Sequence, residues 1–195
     1  AERAFAVVFF VSMLIRLVAL AIVGNGPFRV SDEADYVDAA RVILNGHHFI
    51  PYWSPGLPLY LVPFVAAGAS NLILRASMLL FWGALCWGIW RLSRSVGIGN
   101  IAWLILLVFA VMPDSIQLST EVQTEQVVAA LLLVTVSAAV RCMKGAGLGE
   151  YALMGIAAGS MALVRPSALP ILVLLPLACV LVRRGSWRRR LMGPV

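Results

Sequence analysis

Few residues in this 195-residue chain could move a proton or hold charge, and several of them stand together. The densest group is Asp32-Glu33-Ala34-Asp35-Tyr36, with Asp38 shortly after. A carboxylate beside an attacking hydroxyl can take its proton as the new bond forms. A carboxylate beside a carbon developing positive charge also favours an oxocarbenium-like transition state. Farther along stand Glu121, then Thr124-Glu125, and then Arg165-Pro166-Ser167. A guanidinium such as that of Arg165 or Arg16 can stabilise charge on a leaving phosphate. His47-His48 invites a metal reading, but adjacent histidines on a polar turn read better as exposed side chains. Cys86, Cys142 and Cys179 lie in or beside apolar runs without CxxC spacing, and read as small embedded residues with no redox or metal role.

What must position these groups follows from composition. The hydrophobic share is 62% and the charged share 12%, half of what a soluble domain carries. Such a chain cannot cover itself with polar surface, so its solvent is lipid. The net charge of +6 comes from short basic clusters between apolar runs, a pattern that argues against a nucleic-acid partner and marks the cytoplasmic side of a bilayer.

A crossing takes about 20 apolar residues. The first candidate runs from Phe5 to Val23, interrupted only by Arg16. A cleaved secretory signal ending near Ala19-Leu20-Ala21 is the rival reading, disfavoured by Arg16 and by the length of the run. Further spans are expected over 72–92, 101–112 and 127–140. The stretch 151–182 is too long for one crossing and is broken by Pro166, so two short helices should meet at Arg165-Pro166-Ser167. The expected fold is all-α: a single polytopic transmembrane domain over 1–195 with about six transmembrane helices.

Arg91 and Arg94 follow the second span, Arg141 and Lys144 the fourth, and Arg183, Arg184, Arg188, Arg189 and Arg190 the sixth. Each cluster falls on the side of the N-terminus, and the positive-inside rule makes that side cytoplasmic. Seven of the nine acids, Asp32, Glu33, Asp35, Asp38, Asp114, Glu121 and Glu125, then lie outside, with Glu2 and Glu150 inside. In the first outer segment Ser31 or Asp32 can cap a short helix with acids in its first turn. Val37, Ala40, Ile43 and Leu44 give that helix one apolar face, and Asn45-Gly46 ends it. A second apolar stretch, 57–69, is too short to span and contains Pro58 and Pro63. Tyr52, Trp53 and Tyr60 suit headgroup level. Two amphipathic helices lying on the outer surface are the expected platform. Acids on such a platform could work on a substrate whose polyprenyl chain stays in lipid while its head reaches water.

The Asp-Glu-x-x-Tyr sequence after the first span resembles the GT-C glycosyltransferases. The nearest branch contains protein O-mannosyltransferases, aminoarabinose transferases of lipid A and lipopolysaccharide-core transferases. Pro55-Gly56-Leu57-Pro58-Leu59-Tyr60-Leu61 is similar to the family's proline-rich segment, Thr124-Glu125 stands where it places a second acid, and Leu163-Val164-Arg165-Pro166 resembles its fifth-helix ending. The resemblance covers about residues 5–190.

It implies transfer of a sugar from a polyprenyl-phosphate donor to a lipid, glycan or protein acceptor on the outer face of a bacterial inner or cell membrane. Asp32 would be the catalytic base, with Glu33 the adjacent alternative. Glu125 would bind substrate or metal, against the plain reading of an acid at a helix start. Arg165 would hold phosphate, against that of a helix-end residue. Arg16 would snorkel, pair internally or meet the lipid phosphate, and Tyr36 would mainly pack, with a lesser claim on the sugar. Asp35, Asp38 and Glu121 read as solvated face or loop. Where aminoarabinose transferases carry Glu-Lys-Pro this chain has Trp53-Ser54-Pro55, so that substrate is in doubt and any divalent-metal requirement stays open. Members of the family continue for several further spans, so the chain is expected to be the N-terminal part of a longer enzyme or to work with a partner. The rival readings are a transporter- or flippase-like subunit and a non-catalytic lipid-binding scaffold of an envelope glycan complex.

Overall fold

In a computed structural model the described residues are 1–28, 31–47 and 54–191, with side chains described for all of these but 31, 180 and 182–191. Among them the chain is all-α, with no strand. His48, Tyr52, Trp53, the Ser31 cap and the Arg183, Arg184, Arg188, Arg189 and Arg190 side chains lie outside the described set.

Helix α1 (Glu2–Val23) runs 22 residues, about 33 Å at the usual rise. Its buried face is Ser12, Arg16 and Leu20, spaced four apart, while Phe10, Leu14 and Val18 point outward. A helix that shows large apolar side chains on its outer face is suited to lipid rather than water. Helices α2 (Ser31–Leu44) and α3 (Gly56–Ala66) form in the segment after α1. Asn45-Gly46 does end α2, Gly46 taking a φ of +67° that a side chain would resist. Helices α4 (Asn71–Ser77) and α5 (Leu79–Ser95) continue one another as a 25-residue apolar stretch. Then follow α6 (Ala102–Val111), α7 (Pro113–Thr120), α8 (Thr124–Met143), α9 (Leu148–Val164), a 3₁₀ turn at Pro166–Ala168, and α10 (Leu169–Leu191).

Three stretches are long and apolar enough to cross a membrane: Glu2–Val23, Asn71–Ser95 and Thr124–Met143, with a fourth if α6 and α7 count as one broken span. The expected straight crossing at 101–112 is not found. Helix α6 has 10 residues, about 15 Å, and α7 leaves it at a 73° bend. Pro113 explains the break: it has no N–H to continue the ladder and is instead pre-organised for the first turn of α7. The interruption at Arg165-Pro166 stands as expected, between α9 and the 3₁₀ turn.

Helix α8 is the spine of the bundle, with α5 and α9 against it. Gly88 lets α5 come close: a β-carbon there would lie 2.8 Å from the Leu133 Cβ. Small residues at helix contacts are how apolar bundles gain packing when burial from water supplies no drive. All three cysteines are free thiols in the interior.

The charged groups divide between two ends. Arg94 pairs with Glu2, and Arg141 pairs with Glu150, so the N-terminus of α1, the C-termini of α5 and α8, and the start of α9 share one end. The other end holds the α1–α2 link, α2, the start of α4, the 121–125 segment and Arg165.

Candidate functional site

The first turn of α2 divides its two leading acids. Glu33 faces inward and is fully buried, its Oε1 3.2 Å from Arg75 Nε and its Oε2 3.1 Å from Arg75 Nη2. The Val122 N–H also donates to Glu33 Oε1 at 2.9 Å. Arg75, equally buried, donates in addition to the Gly24, Gly26 and Pro27 carbonyls, and Phe28 lies over its guanidinium. This pair therefore joins four parts of the chain: the turn after α1, α2, α4 and the link before α8. Glu33 is spent on that joint, and its claim as the alternative base is weakened accordingly.

Asp32 lies one residue around the helix and is partly exposed. Tyr36 follows it by one turn, the spacing that puts two side chains on one helix face. Tyr36 is 5% exposed and hydrogen-bonds Thr124 at the start of α8. Burial pushes its phenol above the ordinary range; nearby Asp32 and Glu125 push the same way, while the Thr124 bond and Arg165 oppose. Asp32, Glu125 and Arg165 therefore lie near enough for Tyr36 to feel their charge, from α2, the N-terminus of α8 and the end of α9. Glu125 Oε1 is 3.4 Å from Arg165 Nη1, both side chains about half exposed at 44% and 50%. Glu125 also benefits from the positive end of the α8 dipole.

Below the cluster runs an apolar groove of about 280 Å³ between α3, α5, α8 and α9. Leu57, Tyr60, Phe81, Val127, Leu131 and Val164 are among its lining. Val127 follows Glu125 by two residues and Val164 immediately precedes Arg165, so part of the groove's wall adjoins the charged groups along the chain. Gly56 closes its wall: a β-carbon there would be 2.7 Å from the backbone of Leu163 and Val164. The Tyr60 hydroxyl donates to the Ser77 carbonyl at 3.0 Å and its ring meets Phe81 edge-on.

Other expected residues are placed elsewhere. Arg16 is fully buried under α6, donating to the Ala110 and Phe109 carbonyls at 3.3 and 3.1 Å, to Ser115 Oγ at 2.8 Å and to Ser12 O. Its guanidinium stacks 3.2 Å over Trp82, whose indole N–H donates to Ser12 Oγ. Pro113 frees the last carbonyls of α6, and Arg16 takes them up, so it serves an internal joint rather than the outer cluster. Glu121, read as loop, is 3% exposed, its carboxylate accepting from Gln117 and Gln123. Asp35 is exposed, and Asp38 forms an exposed pair with Arg41. His47 is exposed. Among the described residues no three His, Cys, Asp or Glu side chains converge as a metal group would need.

Arg75 is the residue that sequence reasoning did not single out, and Thr124 was named only beside Glu125, without the bond to Tyr36. For Arg75 a signal existed, an arginine inside an apolar run, which is costly in lipid and so nearly always has a partner. No protein family matches the chain, and no curated protein or solved structure is significantly similar to it.

Proposed function

We propose that the chain is membrane-embedded and belongs to a glycosyltransferase that moves a sugar from a polyprenyl-phosphate donor to an acceptor on the outer face of a bacterial cell membrane. In this reading α9 and residues 166–179 are two short crossings added to the four already counted, and the end holding Arg94 and Arg141 is cytoplasmic. Helices α2 and α3 are the surface platform. The observation that carries the reading is that Asp32, Glu125 and Arg165 all act on Tyr36, Glu125 pairs with Arg165, and an apolar groove is lined by residues adjoining Glu125 and Arg165 in the chain.

Each group has a part. The acceptor hydroxyl attacks the anomeric carbon and Asp32 takes its proton as the new C–O bond forms. The old bond to the phosphate oxygen breaks, and Arg165 stabilises the charge left on the phosphate. Glu125 holds Arg165 before donor arrives and is then released toward the sugar hydroxyls. Tyr36 places its phenol hydroxyl, a hydrogen-bond donor and acceptor, beside them. The groove takes the first units of the lipid chain. An ion path, the main rival, would need titratable groups in sequence through the bundle. Arg16 and Arg75 are instead each held in place by carbonyls or by Glu33.

The test uses the full-length protein with Asp32→Asn. Asparagine caps a helix about as well as aspartate, so insertion and donor binding should persist. Transfer should fall at least about 100-fold with the loss of the base. Transfer at the parent rate would falsify the mechanism.

A further inference from the structure

At the opposite end of the bundle a second concentration of charge plays no part in the outer cluster. An open cleft of about 450 Å³ lies between the C-terminal ends of α5 and α8, lined by Arg94, Ser95, Arg141, Lys144, Gly145 and Ala146. Cations at a helix C-terminus ordinarily cap its last carbonyls. Here the backbone has already taken that role. The Val96, Gly97 and Ile98 N–H groups close on the Leu92, Arg94 and Ser93 carbonyls at 3.0, 3.3 and 2.9 Å. Those of Lys144, Gly145 and Ala146 close on Val140, Cys142 and Arg141. One carbonyl, that of Ser95, is met by the Lys144 ammonium, which ties the two helix ends together.

The guanidinium groups turn to acids instead, and there are too few. Arg94 pairs with Glu2, while Arg91 and Arg141 share Glu150. Among the described side chains that line the cleft or share its ion pairs, Arg91, Arg94, Arg141 and Lys144 against Glu2 and Glu150 leave two positive charges. The Arg94 and Arg141 side chains stay 58% and 48% exposed even when paired. Trp87 and Trp90 lie under the Arg91 and Arg94 guanidinium groups at 4.7 and 5.2 Å. Tryptophan beside arginine is characteristic of headgroup depth, where one side of the ring is apolar and the other wet.

We infer that this cleft seats the phosphate of an anionic phospholipid headgroup, with Arg141, Lys144 and Arg94 as its ligands and the acyl chains on the lipid-facing surface. Charge complementarity selects the ligand: a zwitterionic headgroup would bring its own cation against a site already in positive excess. The inference rests on the chain being embedded in a membrane and not on the glycosyltransferase reading, so either can fail alone.

The test titrates the full-length protein, in uncharged detergent, with dioctanoyl phosphatidylglycerol, dioctanoyl phosphatidylcholine and inorganic phosphate, read by calorimetry. Saturable binding of the glycerol lipid is expected, weakened about tenfold or more in R141Q/K144Q, since one charge-assisted hydrogen bond to phosphate is worth about a decade in affinity. Glu150 keeps Arg91 in that variant, so no acid is left without a cation. The variant R141K/K144R should retain binding, and Arg41→Gln at the other end should leave it unchanged. Equal binding of phosphatidylcholine, undiminished binding in R141Q/K144Q, or displacement by equimolar inorganic phosphate would each overturn the assignment. Thermal midpoints within a few degrees of the parent separate lost binding from lost fold, and if the double glutamine variant does not fold, the single K144Q, which breaks no ion pair, decides the matter: undiminished binding there overturns the assignment.

Discussion

Glu33 and Arg75 meet through two parallel hydrogen bonds of 3.2 and 3.1 Å, with both side chains wholly buried. Such a fork is the geometry in which arginine and carboxylate match best. Its value here is positional. By holding Glu33 inward, the pair sets the rotation of α2 and so leaves Asp32 partly exposed and near Tyr36.

Removing one partner should be severe. Glu33→Gln leaves Arg75 buried without its counter-charge, a change that destabilises by about 3–5 kcal/mol. A lowered thermal midpoint in detergent is expected, with whatever activity remains falling along with the folded fraction. The double substitution Glu33→Leu/Arg75→Met should recover much of that loss, because replacing a whole buried pair with apolar groups is often near neutral. A stable but inactive Glu33→Gln protein would move the catalytic base from Asp32 to Glu33.

Arg165 and Arg16, both able to meet a lipid phosphate by residue type, should behave differently. Arg165→Ala is expected to weaken donor binding by one to two decades, from charge-assisted contacts of about 1.5–3 kcal/mol, and to leave the thermal midpoint close to the parent's. Arg16→Ala should do the reverse, lowering the midpoint while the surviving folded protein binds donor normally. Equal effects of the two on donor affinity would contradict the separation drawn between them.

Gly56 offers a test of how the groove is built. Gly56→Ala must push α3 away from the last turn of α9, because the atoms 2.7 Å away belong to backbone and cannot rotate aside. Reduced donor affinity is expected at near-normal expression. An alanine protein with parent affinity would show that the α3–α9 contact does not shape the lipid site.

Sidedness can be read by labelling. A cysteine placed at His47 should react with an impermeant reagent from outside intact cells, and one at Ala146 only after the membrane is opened. Both positions are in links that the bundle leaves accessible. Reaction of both from the same side would mean that the number of crossings between them is even, and the outer placement of Asp32 would fail with it.

Much of the helical layout was legible because length and apolarity decide it locally. The runs containing α1, α4–α5 and α8 are each long and unbroken, and Pro166 announces its own interruption. The α6–α7 region was not legible in the same way. Residues 101–112 are apolar enough to suggest a crossing, yet whether Pro113 kinks or ends the helix depends on what receives the freed carbonyls. The receiver is Arg16, in another helix. Burial of Glu121 was hidden for a similar reason, since a carboxylate in a link reads as solvated unless its partners, Gln117 and Gln123, are known to turn toward it. In the candidate site the residue types were visible, but their grouping was not: nothing local indicates that Asp32 and Arg165 share one neighbourhood.

The grip of Arg16 on α6 also bears on how the protein is made. Its carbonyl acceptors in Phe109 and Ala110 lie 93 and 94 residues downstream. At ordinary rates of synthesis, about 5–20 residues per second, the first helix waits roughly 5–20 s before those groups exist. During that interval an apolar segment carrying an unmatched arginine costs up to about 2.5–3.5 kcal/mol to leave in lipid. Helix α1 is therefore best kept beside the translocon until α6 emerges. A segment made well before α6 is then released only together with it.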